Sequence, residues 1–117
     1  MNDKAKIIKI YISNTDLYKD EPLYQFLARI AKELNMAGAT IYKGIMGYGC
    51  SSSTTIHTRF EFTDKSPIMV EIVDNGEKIE RFFEKIKPAL QKDPKGCIIT
   101  TQDVEVKLIT LDTKTPI

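Results

Sequence analysis

The apolar and polar positions of the first third of the chain predict one strand and one helix. Lys6–Ser13 consists mostly of β-branched, aromatic and other apolar residues, which favours a central strand. Apolar residues then recur at helical spacing over 23–34, a pattern typical of an amphipathic helix. Asp20–Pro22 suits the start of this helix, and Gly38 stands where a C-terminal cap would fall. The helix is therefore predicted to end near Asn35–Ala37.

The middle of the chain contains strand patterns on both sides of a segment rich in glycine and serine. Ala39–Ile45 is predicted as the second strand, and the glycine- and serine-rich segment follows it. Ile56–Phe62 alternates apolar with polar residues, the pattern of a half-buried strand. Thr63–Pro67 is predicted as a turn. Ile68–Val73 is mostly apolar, which predicts another central strand.

The last third predicts a second helix followed by two strands. Asp74, with Glu77 three residues on, has the arrangement of a capping box, so the helix should begin there. Pro88 should distort or end its last turn, because proline lacks the amide hydrogen that a helix needs. Cys97–Ile99 is predicted as a short strand. Val104–Leu111 is predicted as a final strand, with apolar residues at alternate positions.

This order of elements predicts an α+β fold of the ferredoxin-like (split β-α-β) type. One sheet would carry both helices on the same face, with an extended loop or hairpin between core strands 2 and 3. The length of 117 residues fits a single domain over 1–117, with its core over about 6–111 and a frayed tail over 112–117. The uncovered sheet face and the edge strands favour self-association.

Composition narrows the classes of function. Apolar residues make up 42% and charged residues 28% of the chain, as in ordinary soluble globular proteins. Seventeen basic residues oppose sixteen acidic ones, and this net charge of +1 argues against general nucleic-acid binding. The aromatic and basic strand motif of RNA-binding ferredoxin-like domains is also absent. The charged N-terminus leads into an apolar run too short for a signal peptide, so we expect a cytoplasmic protein that is not inserted in a membrane.

The glycine- and serine-rich segment is the first candidate for ligand binding. Gly44, Gly47 and Gly49, together with Ser51 and Ser52, can present backbone N–H groups and hydroxyls to a phosphate. Their spacing matches neither the Walker nor the dinucleotide fingerprint, and no helix is predicted to follow. From the residues alone, an ordinary flexible hairpin loop therefore remains the favoured alternative.

Two further groups of polar residues are weaker candidates. His57 and Arg59 lie on one polar strand face that a ligand cleft can use, although a simple strand histidine is the more ordinary interpretation. Lys95 and Gly96 can clasp a phosphate through one charge and a closely approaching backbone, and a solvated turn is an equal alternative. The two cysteines lack metal-ligand spacing. Without a metal cluster or a nucleophile–base pair, we do not expect an enzyme.

Several segments of the chain resemble one known family. In order, they are P-L-Y (Pro22–Tyr24), A-G-A-T-I-Y-K-G-I-M-G-Y-G (Ala37–Gly49), S-S, I-H-T (Ile56–Thr58), P-I-M-V-E-I-V-D (Pro67–Asp74), E-K-I (Glu77–Ile79) and D-V-E-V (Asp103–Val106). Over nearly the whole chain, they resemble the uncharacterised PII-like signalling protein family catalogued as domain of unknown function 190. That family is similar in fold to the nitrogen-regulatory PII proteins.

The resemblance implies a PII-like homotrimer that binds nucleotides in clefts between subunits. The loop that docks on partner proteins in PII corresponds here to about Gly44–Pro67, and the loop that helps hold nucleotide phosphates to Asp93–Gly96. Lys107 lies roughly where PII has a basic phosphate partner, but Ile109 replaces the second one. The phosphate loop also departs from the PII pattern, since D-P-K-G stands where PII has a G-D-G-K-like sequence.

The resulting hypothesis is a regulatory protein that binds an adenine nucleotide (ATP, ADP or AMP) or a related phosphorylated small molecule at subunit clefts. No cofactor is required. The 44–67 loop would then regulate a partner protein, with a membrane transporter as one candidate. The alternative is an oligomeric protein-interaction module without a small-molecule ligand. The predicted ligand-binding residues are Gly44, Met46, Gly47, Gly49, Ser51, Ser52, His57, Arg59, Lys95, Gly96 and Lys107.

Overall fold

A computed structural model of the chain describes residues 4–48, 65–92 and 96–112, and a sheet of four antiparallel strands forms its centre. The elements are β1 (Ala5–Ser13), β2 (Leu17–Tyr18), β3 (Glu21–Pro22), α1 (Leu23–Glu33), β4 (Thr40–Lys43), β5 (Pro67–Asn75), α2 (Gly76–Lys92) and β6 (Ile98–Val104). The strand order is β4-β5-β1-β6, and β2 and β3 form a separate small hairpin. This is the predicted ferredoxin-like α+β arrangement. The strand predicted over 56–62 lies outside the described residues.

The core lies between one face of the sheet and the two helices. Its centre is the pairing of β1 with β5, which aligns three apolar cross-strand pairs: Ile8–Ile72, Ile10–Val70 and Ile12–Ile68. Leu27 of α1 and Phe82 of α2 pack against this layer, and both are fully buried. Burying side chains of this size stabilises a fold by about 1.5–3 kcal/mol each. The periodicity that predicted both helices therefore marks their buried faces.

The opposite face of the sheet is not covered within the described residues. The register places one side chain from each strand in a row across this face: Tyr42, Met69, Tyr11 and Ile98. The exposed fractions of Tyr11, Tyr42 and Ile98 lie between 42% and 47%. A four-strand row of large apolar side chains is a surface that proteins commonly bury against a partner.

The end of α1 differs from the prediction. Asn35, not Gly38, adopts the left-handed conformation that closes the helix, with φ 55°. The Asn35 N–H donates to Lys32 O at 3.0 Å and the Met36 N–H donates to Ala31 O at 3.1 Å, the two bonds of a Schellman motif. Asparagine tolerates this conformation better than most residues. The cap predicted at Gly38 is therefore wrong.

The start of α2 also differs by one residue. Asn75 Oδ1 accepts a hydrogen bond from the Lys78 N–H at 2.9 Å, so Asn75 provides the N-terminal cap instead of Asp74. Pro88 does not end the helix, which continues to Lys92. Ala89, the residue after the proline, is buried in the core, so tertiary packing continues past the missing hydrogen bond.

The two C-terminal strands predicted over Cys97–Ile99 and Val104–Leu111 are replaced by one. β6 pairs with β1 without interruption, from Ile98 opposite Tyr11 to Val104 opposite Ala5. The polar residues between them did not suggest a strand, but β1 offers a continuous partner over that length. β1 begins at Ala5, and residues 105–112 have no regular structure.

The left-handed cap of α1 predicts that Asn35→Ala destabilises the chain, while Asn35→Gly does not. Alanine at positive φ costs about 1 kcal/mol, because its Cβ crowds the carbonyl oxygen, whereas glycine adopts this conformation freely. Urea unfolding followed by circular dichroism measures both variants. Equal stability of Asn35→Ala and Asn35→Gly would contradict the assigned cap.

Candidate ligand and partner site

The predicted loop between the second and third core strands has a fixed base. The Gly44 N–H donates to Pro67 O at 2.8 Å, which closes the two ends of the 44–67 segment against each other. A Cβ at Gly44 would lie 2.6 Å from Pro67 Cγ, closer than real Cβ atoms come. Gly44 is therefore required by close packing against Pro67, not by an unusual backbone angle.

The residues after Gly44 expose apolar side chains. Ile45 is 103%, Met46 64% and Tyr48 95% exposed, while Gly47 lies over Pro67, its ideal Cβ 3.4 Å from Pro67 Cγ. Exposed apolar side chains beside a fixed loop base are typical of a docking surface for another protein. Sequence reasoning concentrated on the glycines and included Met46 only as a ligand contact. The apolar residues between the glycines were the sequence signal for these exposed side chains.

A buried carboxylate holds the chain that leads into β4. Asp74 is 4% exposed, and its Oδ2 accepts a hydrogen bond from the Ala37 N–H at 2.9 Å. Lys78 Nζ lies 3.9 Å from the same oxygen and donates to Asn35 O at 2.7 Å. Asp74 was predicted as a helix cap, and its contact with Ala37 was missed because the two residues are far apart in sequence.

A side-chain hydrogen bond also joins β4 to β5 on the open face. The Tyr42 hydroxyl donates to Glu71 Oε1 at 3.0 Å. This hydrogen bond, together with the negative charge of Glu71, raises the pKa of Tyr42 above its usual value. The phenol is therefore neutral and acts as a donor at physiological pH. The part of the chain that leads into the loop is thus held at two places: Asp74 binds Ala37, and β5 pairs with β4.

Gly96 marks the second predicted site, at the start of β6. It has φ 83°, so a side chain at this position would be strained. With Cys97 it borders an open pocket whose other lining residues are Asp16, Leu17, Leu23, Ala89 and Leu90. Asp16 is 4% exposed, and its Oδ2 accepts a hydrogen bond from the Ser13 N–H at 2.9 Å. A carboxylate in the wall makes this pocket unsuitable for a phosphate, so an anion at Gly96 would have to approach from another side.

Lys107 lies beyond the other end of β6. Its Nζ is 2.5 Å from Glu105 Oε1, and the side chains of the two residues are 83% and 76% exposed. An exposed ion pair of this kind adds little stability. The Lys107 ammonium can therefore leave Glu105 and bind a phosphate at a small cost in free energy.

The described residues bring some of the predicted site together and leave some of it apart. Gly44, Met46 and Gly47 form one group beside Pro67. Gly96 lies at the same end of the sheet, but on the opposite edge, because β5 and β1 separate β4 from β6. Lys107 follows the far end of β6, so one chain does not place it beside the glycines. The predicted residues Gly49, Ser51, Ser52, His57, Arg59 and Lys95 lie outside the described residues.

Neither a metal cluster nor a membrane span is found in the described part of the chain. Over 4–48, 65–92 and 96–112, no three histidine, cysteine or acidic residues lie together in a way that could hold a metal ion. No helix in those same ranges is long and apolar enough to cross a membrane.

Solved structures identify the class of fold to which this chain belongs. CPII from Thiomonas intermedia K12, a nitrogen regulatory PII-like protein solved with ADP, AMP and bicarbonate, superposes with a TM-score of 0.63 at 17% identity, over 89% of each chain. A PII-like protein from Thermus thermophilus gives a TM-score of 0.59 at 19% identity, over 86% of this chain and 87% of that one. The chain thus has the PII-like, ferredoxin-type fold.

Sequence comparisons then identify the family. The DUF190 family model, described as Uncharacterized ACR, matches residues 5–106. A UPF0166 protein of Aquifex aeolicus is 37% identical over 103 residues, which are 88% of this chain and 93% of the relative. A UPF0166 protein of Methanocaldococcus jannaschii is 36% identical over 98 residues, 84% of this chain and 88% of the relative. The chain belongs to the DUF190 family, as the resemblance of its motifs implied.

The contact between Gly44 and Pro67 predicts a specific pair of mutational effects. Gly44→Ala should cost about 1–3 kcal/mol of unfolding free energy, because the new methyl group overlaps the proline ring. Gly38→Ala is the matched control, since a Cβ there meets nothing within 4 Å. Adding Pro67→Ala to Gly44→Ala should recover much of this loss. A double-mutant cycle measures the recovery by urea unfolding of the wild type, Gly44→Ala, Pro67→Ala and the double variant. Additive effects of the two substitutions would contradict the contact.

Proposed function

We propose that this protein is a PII-like regulator that binds an adenine nucleotide, or a related phosphorylated small molecule, between the subunits of a homotrimer. The observation that carries the proposal is the closed loop base at Gly44 and Pro67, in the position where the PII-like fold carries its docking loop. The reported CPII structures contain ADP, which supports a nucleotide as the ligand. The proposed role is binding and regulation without catalysis, in the cytoplasm.

The separation of the predicted ligand residues supports a site between subunits. Gly44 and Gly47 lie on one sheet edge, while Lys107 follows the far end of the strand at the other edge. Two neighbouring copies of the chain would bring both groups to one cleft if their sheet edges meet, because each copy then supplies one group. The apolar row Tyr42, Met69, Tyr11 and Ile98 gives such an assembly a surface to bury.

The exposed side chains Ile45, Met46 and Tyr48 support the regulatory half of the proposal. They project from the segment that a ligand at the Gly44–Gly47 backbone would contact. A ligand that binds one arrangement of this segment more tightly shifts its population, and thereby changes the surface available to a partner protein. A membrane transporter is one candidate for that partner.

Isothermal titration calorimetry with ADP, AMP and ATP tests the ligand directly. We expect saturable binding of at least one of them, with one site per cleft and therefore one ligand per subunit. Titrations with and without bicarbonate extend the test, since two CPII structures hold this ion together with ADP. No heat with any nucleotide, on a folded oligomer, would reject the nucleotide and leave the ligand-free interaction module.

Lys107→Ala is expected to weaken binding of the preferred nucleotide about 10- to 100-fold, the value of one charge-assisted hydrogen bond to a phosphate. Lys85→Ala is the matched control, because Lys85 is an exposed cation on α2, away from the proposed cleft. The same calorimetric titration measures both variants. Equal affinities for Lys107→Ala and Lys85→Ala would remove Lys107 from the site.

A further inference from the structure

The narrow pocket beside the start of β6 has a lining that suits a ligand other than a nucleotide. Leu17, Leu23 and Leu90 form most of its apolar wall, and Asp16 adds a carboxylate. Its interior has room for one group about the size of a water molecule, and the pocket is open on one side. An apolar wall with one placed charged group is the usual arrangement of a site for a small molecule.

The Asp16 carboxylate is buried, but its neighbours use only one of its oxygens. Asp16 is 4% exposed, and its Oδ2 accepts a hydrogen bond from the Ser13 N–H at 2.9 Å. Among residues 4–48, 65–92 and 96–112, nothing donates to Oδ1, and no lysine or arginine pairs with the carboxylate. Those residues also contain no fully buried side-chain oxygen without a partner, so Oδ1 keeps contact with the pocket. A buried charge with a vacant acceptor favours a ligand that carries a positive charge and an N–H donor.

The turn that carries Asp16 holds this carboxylate in place without a ligand. The Asp16 N–H donates to Ser13 O at 3.1 Å, and the Asp16 carbonyl accepts from the Leu23 N–H at 2.8 Å, where α1 begins. Asn14 joins the same turn to the residue before β5, since its N–H donates to Ser66 O at 3.0 Å and its Oδ1 accepts from the Ser66 N–H at 2.6 Å. A site whose charged group is already fixed loses less conformational entropy when a ligand binds.

We propose that this pocket binds a small organic ammonium, a primary amine with a short alkyl chain. The ammonium donates to Asp16 Oδ1, and the alkyl chain lies along Leu17, Leu23 and Leu90 toward the open side. The carboxylate that makes the pocket unsuitable for a phosphate is the group that selects the cation. The proposal adds a second ligand to the proposed function and does not depend on nucleotide binding.

Titration of the isotope-labelled wild-type protein with n-butylamine, which is an ammonium at neutral pH, tests the site by NMR. We expect saturable shifts of the amide signals of Ser13, which binds Asp16, and of Leu17 and Gly96, which border the pocket. Butanol has nearly the same size without the charge, and it should bind about 10-fold or more weakly, the value of one charge-assisted hydrogen bond. Methylamine should also bind about 10-fold more weakly than butylamine, because its shorter chain makes fewer contacts with the leucines.

Asp16→Asn separates the charge of this residue from its role in the turn. Asparagine keeps an oxygen that can accept the Ser13 N–H, but it carries no negative charge. Butylamine should bind this variant about 10-fold or more weakly than the wild type, while butanol should bind both proteins equally. Asp20→Asn is the matched control, because Asp20 is an exposed carboxylate of the next turn and does not line the pocket. This control should leave both affinities unchanged.

The outcomes decide between a cation site and a pocket that holds only water. Equal affinity of the wild type for butylamine and butanol, or amide shifts that never saturate, would overturn the proposal. Unchanged butylamine binding in Asp16→Asn would overturn it as well. If Asp16→Asn failed to fold, the wild-type comparison of butylamine with butanol would decide the question alone. The proposed function is tested separately by calorimetry with ADP, AMP and ATP, so either proposal can fail without the other.

Discussion

The pairing of β1 with β5 is the interaction on which the rest of the structure depends. It joins nine residues of each strand, from Ala5 opposite Asn75 to Ser13 opposite Pro67. The pairing aligns the apolar residues of both strands on one face, and a slip of one residue would turn all of them to the other side. The same register fixes Pro67 at the end of the ladder. Because Gly44 packs on Pro67, the core determines where the loop begins.

The candidate functional residues lie at the ends and edges of this ladder. β4 is held on β5 by backbone pairing and by the hydrogen bond from Tyr42 to Glu71. The segment before β4 is held by the hydrogen bond from the Ala37 N–H to Asp74. Within the described residues, three surfaces have no covering element: the open face of the sheet, the outer edge of β4 and the segment after β6. In the proposed function, contact with another chain would cover these surfaces, and this connects assembly to ligand binding.

Much of the fold could be predicted from the sequence, because buried faces leave a period of two or of about 3.6 residues. The errors fall where local signals compete with tertiary partners. Gly38 suggested a helix cap, but Asn35 takes that role because Met36 can then pack against the core. The polar residues before Val104 suggested a break, but β1 pairs with all of them. Whether a strand forms there depends on a neighbour that local pattern does not show.

The candidate site was predictable in part. The glycine pattern and the family resemblance pointed to Gly44 and Gly47, but the reason for Gly44 lies in its contact with Pro67, which no local pattern reveals. Lys107 and Gly96 were grouped with them by resemblance, yet one chain places Lys107 beyond the far end of the opposite edge strand. Sequence shows which residues suit a phosphate. It does not show where on the fold those residues come to lie.

The central claim is that several copies of this chain form one assembly with a nucleotide between them. Native mass spectrometry of the protein taken directly from cells tests it in a single measurement, because it reports the subunit count and any retained small molecule together. We predict the mass of three chains, with additional mass that corresponds to bound adenine nucleotide. A monomer, or a trimer that carries no ligand and takes up none when nucleotide is added, would contradict the claim.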